Sequence, residues 1–267
     1  MAERADEALV KAGLADSLTI AAALIMEGKA LYGTQKLQKP SDKIKDISLL
    51  RLKGDSAVWV SRGAYKLEKA FKVFDISACD KVCVDIGAST GGFTQVLLSR
   101  GAKRVYAVDV GYNLLAWKLR NDERVRVMER TNARLLRPGD IPESPDMGAT
   151  DVSFISLKAI FPPVFRLLSP GADFVALVKP QFEARKEEVG EKGVIRDADT
   201  HVKVISDIVA FCEDGGYCPV GLDYSPITGQ EGNIEFLLHL KNRPGTCGVT
   251  PEAIANTVYA AHVNFGV

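Results

Sequence analysis

Histidine is scarce in this chain and cysteine nearly so. His201, His239 and His262 stand far apart, and the cysteines are Cys79, Cys83, Cys212, Cys218 and Cys247. An odd cysteine count, without C-x-x-C spacing or neighbouring histidines, argues against a disulfide framework and against a zinc site. Reduced thiols and no bound metal are the expectation. Long apolar runs are also missing: the stretch from Ile20 to Met26 falls far below the ~20 residues that span a bilayer. The opening Met1-Ala2-Glu3-Arg4-Ala5-Asp6-Glu7 lacks the basic-then-apolar order of a secretion signal. Net charge is absent as well, with 34 Lys+Arg against 34 Asp+Glu, so bulk charge does not mark a nucleic-acid binder. A soluble cytoplasmic protein with no membrane partner is expected.

Two modules are expected, residues 1–56 and 57–267, joined near Gly54. In the first, Ala5, Leu9 and Ala12 share a helical face with Gly13 as C-cap, and Asp16 or Ser17 caps a second helix through Ala21, Leu24 and Ile25. That helix stops at Gly28, and Lys29 to Asp42 reads as short strands and turns. From Trp59 onward strands and helices alternate, the pattern of an α/β doubly wound sheet. Expected strands are Lys81 to Ile86, Arg104 to Asp109, Arg124 to Met128, Ala149 to Val152, Asp173 to Val178, Pro219 to Asp223 and Ile234 to Leu240. Expected helices follow Phe93 and cover Tyr112 to Arg120, Leu157 to Leu168 and Ala198 to Glu213. Between Arg100 and Arg137, ten Lys/Arg face four Asp/Glu, a local surplus of either a basic face or an ordinary solvated surface.

The most informative segment is Val84-Asp85-Ile86-Gly87-Ala88-Ser89-Thr90-Gly91-Gly92-Phe93-Thr94. A buried strand runs into glycines that let the backbone turn and approach a ligand, and a helix follows. The dinucleotide fingerprint G-x-G-x-x-G fails, because three non-glycine residues separate Gly87 from Gly91-Gly92. S-adenosylmethionine (SAM) fits better: Asp85 reaches the methionine ammonium, Gly87 makes room for its backbone, and Asp109 at the end of the next strand takes the ribose hydroxyls. Taken singly, Asp85 as a turn cap and Asp109 as a strand end are equally ordinary.

Asp151-Val152-Ser153-Phe154 follows the fourth strand, where an adenine amino-methylase carries Asn/Asp-Pro-Pro-aromatic. A C5-pyrimidine enzyme needs a nucleophilic cysteine, and only a reversed Cys218-Pro219 occurs. Lys179 stands at a strand end. Partial desolvation there, with Lys66 nearby, favours a neutral amine able to take the proton of a ribose 2′-hydroxyl. Asp151 and Glu235 then orient the ammonium groups. A strand-end ion pair of Lys179 with Glu235 is the plainer alternative.

The first module resembles an S4-type RNA-binding domain, with two departures: Leu18 stands where an arginine is usual, and Gly33-Thr34 replaces an Asn-Gly turn. Lys11, Lys29, Lys36, Lys39, Lys43 and Lys45 are its candidate phosphate contacts. Across the whole chain, seven ordered segments are similar to the TlyA family, an S4-like domain fused to an FtsJ-like methyltransferase. They are Val60 to Leu67, Asp85 to Thr94, Val108 to Tyr112, Glu129 to Arg134, Asp151 to Leu157, Lys179 to Glu183 and Gly229 to Phe236. The resemblance implies a Rossmann-like SAM-dependent methyltransferase sheet and 2′-O-methylation of cytidine in ribosomal RNA, free or in subunits. It places Lys66, Asp151, Lys179 and Glu235 in the catalytic set. The cofactor would be lined by Asp85, Gly87, Ala88, Ser89, Thr90, Gly91, Gly92, Phe93, Asp109, Val110, Asn132, Ala133, Asp151, Phe154 and Leu157. Asn113-Leu114 departs from a frequent Gly-Gln beside that region. Members also carry haemolysin names, so the alternatives are a membrane-active protein or an RNA binder with a silent methyltransferase domain.

Overall fold

The computed structural model describes residues 3–12, 14–15, 17–33, 35–53, 59–245 and 248–267. Gly13, Asp16, Thr34, Gly54 and Cys247, each given a role above, lie outside the described residues. The chain falls into two compact units, Met1–Trp59 and Val60–Val267.

In the first unit, β1 (Glu3–Arg4) leads into α1 (Ala5–Lys11), followed by α2 (Leu18–Met26), β2 (Ala30–Tyr32), β3 (Gln35–Lys36), β4 (Lys43–Ile44) and β5 (Leu50–Leu52). Ser17 caps α2, its Oγ accepting the Ile20 N–H. Strand β2 pairs antiparallel with β3 and β5, and β1 pairs with β4. Ala5, Ala8, Leu9, Ala21, Ile25 and Ile44 form a small core. Lys11 and Lys29 are ion-paired to Glu3 and Glu27. Lys36, Lys39, Lys43 and Lys45 are exposed and make no ion pair with a described residue.

The second unit contains α3 (Ala64–Phe74), β6 (Val82–Ile86), α4 (Gly92–Ser99), β7 (Arg104–Val108), α5 (Trp117–Arg120), β8 (Val125–Met128) and β9 (Met147–Thr150). These are followed by α6 (Leu157–Phe165), β10 (Asp173–Val178), α7 (Pro180–Glu183), α8 (Ala198–Asp214), β11 (Cys218–Tyr224), β12 (Phe236–Lys241) and α9 (Pro251–Phe265). The sheet order is β8-β7-β6-β9-β10-β12-β11. All neighbours are parallel except β12, which runs antiparallel to both β10 and β11. Strands β6 and β10 are buried along their whole length, as expected of strands covered on both faces. Val84, Ile86, Phe174, Ala176 and Phe236 on one face pack with Ile160, Phe161, Ile205, Ile208 and Val258 of α6, α8 and α9. Helices α3 and α4 pack together, with α4 against β6 and β7. At the start of β10, burial works against Asp173 ionising, but His239, Lys241 and Lys81 outweigh it and hold its carboxyl well below the usual range.

Two expectations are corrected and one helix was not expected. The fourth strand ends at Thr150, so Asp151 is the first residue beyond it. The helix expected from Tyr112 begins only at Trp117. The Ala116 N–H, which would bond the Tyr112 carbonyl in a helix begun there, instead donates to the Thr90 carbonyl at 3.1 Å, and Asn113 is left-handed at φ 58°. Helix α9, missed in the sequence, closes one face of the sheet. The basic surplus between Arg100 and Arg137 is also partly neutralised, because Arg100, Arg104, Arg120 and Arg124 pair with Glu68, Glu143, Glu129 and Asp122.

Candidate active site

The sheet delivers four distant residues to one edge. Asp151 and Lys179 each follow a parallel strand, β9 and β10, at its carboxyl end. Because β12 runs the other way, its first residues lie at that same edge, and Glu235 directly precedes it. Lys66 comes from the first turn of α3. A Cβ at Gly92, the first residue of α4, would run into Ser61 Oγ, so a glycine there lets the segment leading to Lys66 pack against the start of α4. The Val60 N–H donates to Gln95 Oε1 on α4, fixing the same approach.

Lys66 Nζ lies 3.3 Å from Asp151 Oδ2 and 2.7 Å from Glu235 Oε2; Lys179 Nζ lies 2.5 Å from Asp151 Oδ1 and donates to Ser153 Oγ at 2.8 Å. The Lys66–Glu235 contact is an ion pair without hydrogen-bond alignment, so Glu235 Oε2 has no directed donor. Lys66, Lys179 and Glu235 are buried, and Asp151 keeps 19% of its side chain accessible. Burial favours the neutral amine of Lys66, but Asp151 and Glu235 outweigh it and raise the group above the ordinary lysine value. Burial likewise opposes ionisation of Asp151, yet Lys66 and Lys179 pull it below the usual carboxylate range. For Glu235 burial wins: Lys66 offsets it only in part, and its carboxyl is raised. Lys66 is therefore a committed cation, with Asp151 as the shared anion between two lysines.

The set opens on a cavity of about 860 Å³, lined also by Gly87, Ala88, Ser89, Thr90, Gly92 and Phe93. Asp85 lies fully buried beneath this turn, its Oδ2 accepting from Thr94 Oγ1 at 2.6 Å and its Oδ1 without a partner. Burial pushes its carboxyl up to about 7, against the pull of the Thr94 hydrogen bond. Gly87 has φ +83°, and an added Cβ would meet Asp151 O at 3.0 Å. An orphaned carboxylate oxygen below a glycine turn fits a ligand that carries an ammonium group.

A family profile of FtsJ-like methyltransferases matches residues 59–242. The chain belongs to the FtsJ-like methyltransferase family. The 16S/23S rRNA (cytidine-2′-O)-methyltransferase TlyA of Mycobacterium tuberculosis is 45% identical to it over 241 residues, covering 90% of each chain. Hemolysin A of Brachyspira hyodysenteriae is 42% identical over 237 residues, 88% of this chain and 98% of that one. A solved structure from Streptococcus thermophilus, carrying a hemolysin name, matches with TM-score 0.79 at 46% identity, covering 99% of this chain and 97% of the other. An S-adenosylmethionine-dependent methyltransferase from Mesorhizobium loti, at TM-score 0.50 and 15% identity over 65% of this chain and 96% of its own, shares the fold.

The remaining residues expected of this FtsJ-like chain divide into three groups. Asp109 organises the adjoining loop, its Oδ2 accepting the Ser89 N–H at 2.8 Å, and its carbonyl accepts the Thr131 N–H, which brings Asn132 and Ala133 alongside. These residues and the exposed Val110 do not line the tetrad's cavity, and Gly91 instead packs beneath Leu115 and Leu119. Leu157 is a core residue whose N–H is bound by Glu183. Phe154 does line the cavity, yet it is 90% exposed, at φ +62°, with its ring 5.1 Å from that of Phe182. Sequence reasoning missed Ser153, Thr94 and Asn233; all three lie inside motifs already quoted, but the partners of Ser153 and Asn233 are distant in the chain. Among the described residues no group of three His, Cys, Asp or Glu is gathered for a metal, and no helix is long and apolar enough to cross a membrane.

Proposed function

We propose that this protein transfers a methyl group from SAM to the ribose 2′-hydroxyl of cytidine in ribosomal RNA, acting in the cytoplasm. The observation that carries the reading is the convergence of Lys66, Asp151, Lys179 and Glu235 on one cavity, directly beside the glycine turn over Asp85. Asp85, Gly87 to Thr90, Gly92, Phe93 and Asp109 hold the cofactor, with Asn132 and Ala133 at its adenosine end. When bound, SAM supplies a methyl group activated by its positive sulfur. Lys179, entering the step as the neutral amine, orients the ribose hydroxyl and takes its proton, and Asp151 stabilises the ammonium that results. Lys66, locked between Asp151 and Glu235, holds that carboxylate in place and keeps the buried site near neutral. Phe154, presented to solvent on Phe182 at the cavity mouth, offers a face on which a base can stack. No step calls for a metal.

The first unit is read as the S4-like RNA-binding domain, with Lys36, Lys39, Lys43 and Lys45 as phosphate contacts. Replacing these four by glutamate is expected to weaken binding to ribosomal subunits while SAM affinity stays unchanged; equal subunit binding would remove that role.

The test of the reaction is nucleoside mass spectrometry on small and large ribosomal subunits incubated with protein and SAM. New 2′-O-methylcytidine supports it, and a methyl group on a base overturns it. The Hemolysin A name of one relative sets a competing reading, examined by dye release from liposomes: leakage at concentrations below those needed for methylation would favour it.

A further inference from the structure

Asn233 is buried and commits its whole side chain to one neighbouring segment. Its Oδ1 accepts the Ile195 N–H at 3.0 Å and its Nδ2 donates to the Gly193 carbonyl at 2.9 Å, while its own carbonyl accepts the Gly229 N–H at 2.9 Å. The segment it grips, residues 184–196, links α7 to α8, and its Val189, Lys192 and Gly193 line the cavity of the tetrad. Glu235 lies two residues beyond Asn233. One amide side chain thus ties this strap to the loop that delivers a member of the tetrad.

The strap presents Lys192 in an unusual way. Its backbone is left-handed, with φ 60° and ψ 18°, next to Gly193 at φ +74°. At Gly190 a Cβ would meet Val194 O at 2.7 Å, so the chain doubles back closely there. A lysine holds such a conformation only where its surroundings enforce it, and such residues gather at functional sites. Its side chain is exposed and makes no ion pair with a described residue, whereas Glu188 on the same strap is already bonded to Lys203. Outside the tetrad, the charged residues on the cavity lining are Arg62 and Lys192 against Glu231.

We propose that residues 184–196 form a strap, latched by Asn233, that holds Lys192 as a contact for a backbone phosphate of the RNA strand whose ribose enters the cavity. The proposal rests on the RNA reading above. Lys192 supplies a charge-assisted hydrogen bond, and Asn233 is a positioning residue that acts through it.

The experiment measures binding of full-length protein to purified ribosomal subunits across a salt series, alongside SAM affinity and thermal melting. Lys192→Ala is expected to weaken subunit binding about tenfold and to lower the slope of log K against log salt by about 1. Lys192→Arg restores most of the affinity, and SAM affinity and melting are unchanged in both. Asn233→Ala, or Asn233→Asp should the alanine variant fold poorly, weakens subunit binding by a similar factor, and adding Lys192→Ala to it brings little further loss. Wild-type affinity and salt slope in Lys192→Ala overturn the phosphate contact. Independent, multiplying effects of the two substitutions overturn the latch. Wild-type protein that neither binds nor methylates either subunit overturns the RNA reading itself, and with it this proposal.

Discussion

Lys179 Nζ lies 2.5 Å from Asp151 Oδ1, a contact between the first residue after β9 and the first after β10. The other oxygen of the same carboxylate faces Lys66 at 3.3 Å, so one carboxylate holds two buried lysines. Asp151→Asn keeps the shape and removes the charge, leaving Lys179 without its ion-pair partner and Lys66 with Glu235 alone. Methyl transfer is expected to fall at least about a hundredfold, and stability by roughly 2–4 kcal/mol, read from urea unfolding. Turnover close to wild type would mean that the carboxylate is dispensable.

Asp85 gives a pH-dependent signature. In the free protein burial lifts its carboxyl to about 7, so below that pH it is largely protonated, and an ammonium ligand must displace the proton. SAM affinity should therefore fall as pH drops from 8 to 6, steepening toward tenfold per unit below about 7. Asp85→Asn should weaken binding about tenfold or more at pH 8 and flatten the profile. Calorimetric titrations of both forms across that range decide it; an unchanged dissociation constant in the variant removes Asp85 from the cofactor site.

A second titration acts on stability alone. His201, on α8, is fully buried, with Nδ1 2.9 Å from Nε2 of His262 on α9 and its own Nε2 unpartnered among the described residues. Burial first, and His262 second, depress it to about 4. The unfolded chain takes up this proton near pH 6.5 while the folded chain refuses it until about 4. Its contribution to stability is thus present above pH 6.5 and lost as pH falls toward 4, by on the order of 2 kcal/mol. Urea unfolding at pH 7 and pH 4.5 should show a smaller difference for His201→Gln than for wild type. Equal differences would rule this histidine out as a cause of acid lability.

Gly87 is where the glycine turn touches the tetrad. With φ +83° and Asp151 O 3.0 Å from a hypothetical Cβ, Gly87→Ala strains the turn and displaces the backbone that carries Asp151. The expected cost is about 1–3 kcal/mol of stability, with losses in both SAM affinity and turnover. A variant with wild-type melting temperature and SAM affinity would show that the turn has more room than its geometry indicates.

Much of this architecture is legible because the parallel strands are buried on both faces. Val82 to Ile86, apolar but for Asp85, and the apolar run Phe174 to Val178 read as buried strands, and the edge that carries the tetrad follows from their ends. The tetrad is legible for a different reason: each member sits in a distinctive local motif. Its pairing is not, since that Lys66 reaches Glu235 as well as Asp151 depends on the reversed direction of β12. Helix α9 escaped notice because only Ile254, Val258 and Ala261 of it are buried, too thin a stripe to announce a helix. The short α5 reflects the Thr90 carbonyl taking the Ala116 N–H, a long-range bond that local propensity does not contain. Asn233 and Ser153 were visible only as letters within motifs, because their work is done on residues from elsewhere in the chain.

The most direct test of the account is transfer of tritiated methyl from SAM to purified small and large ribosomal subunits by wild-type protein and by Lys179→Ala, with SAM affinity measured on both. The expected result is label on a cytidine ribose 2′-oxygen with wild type, its loss by at least about a hundredfold in the variant, and SAM affinity nearly equal in the two. Label that persists in Lys179→Ala, or that maps to a base, would contradict it.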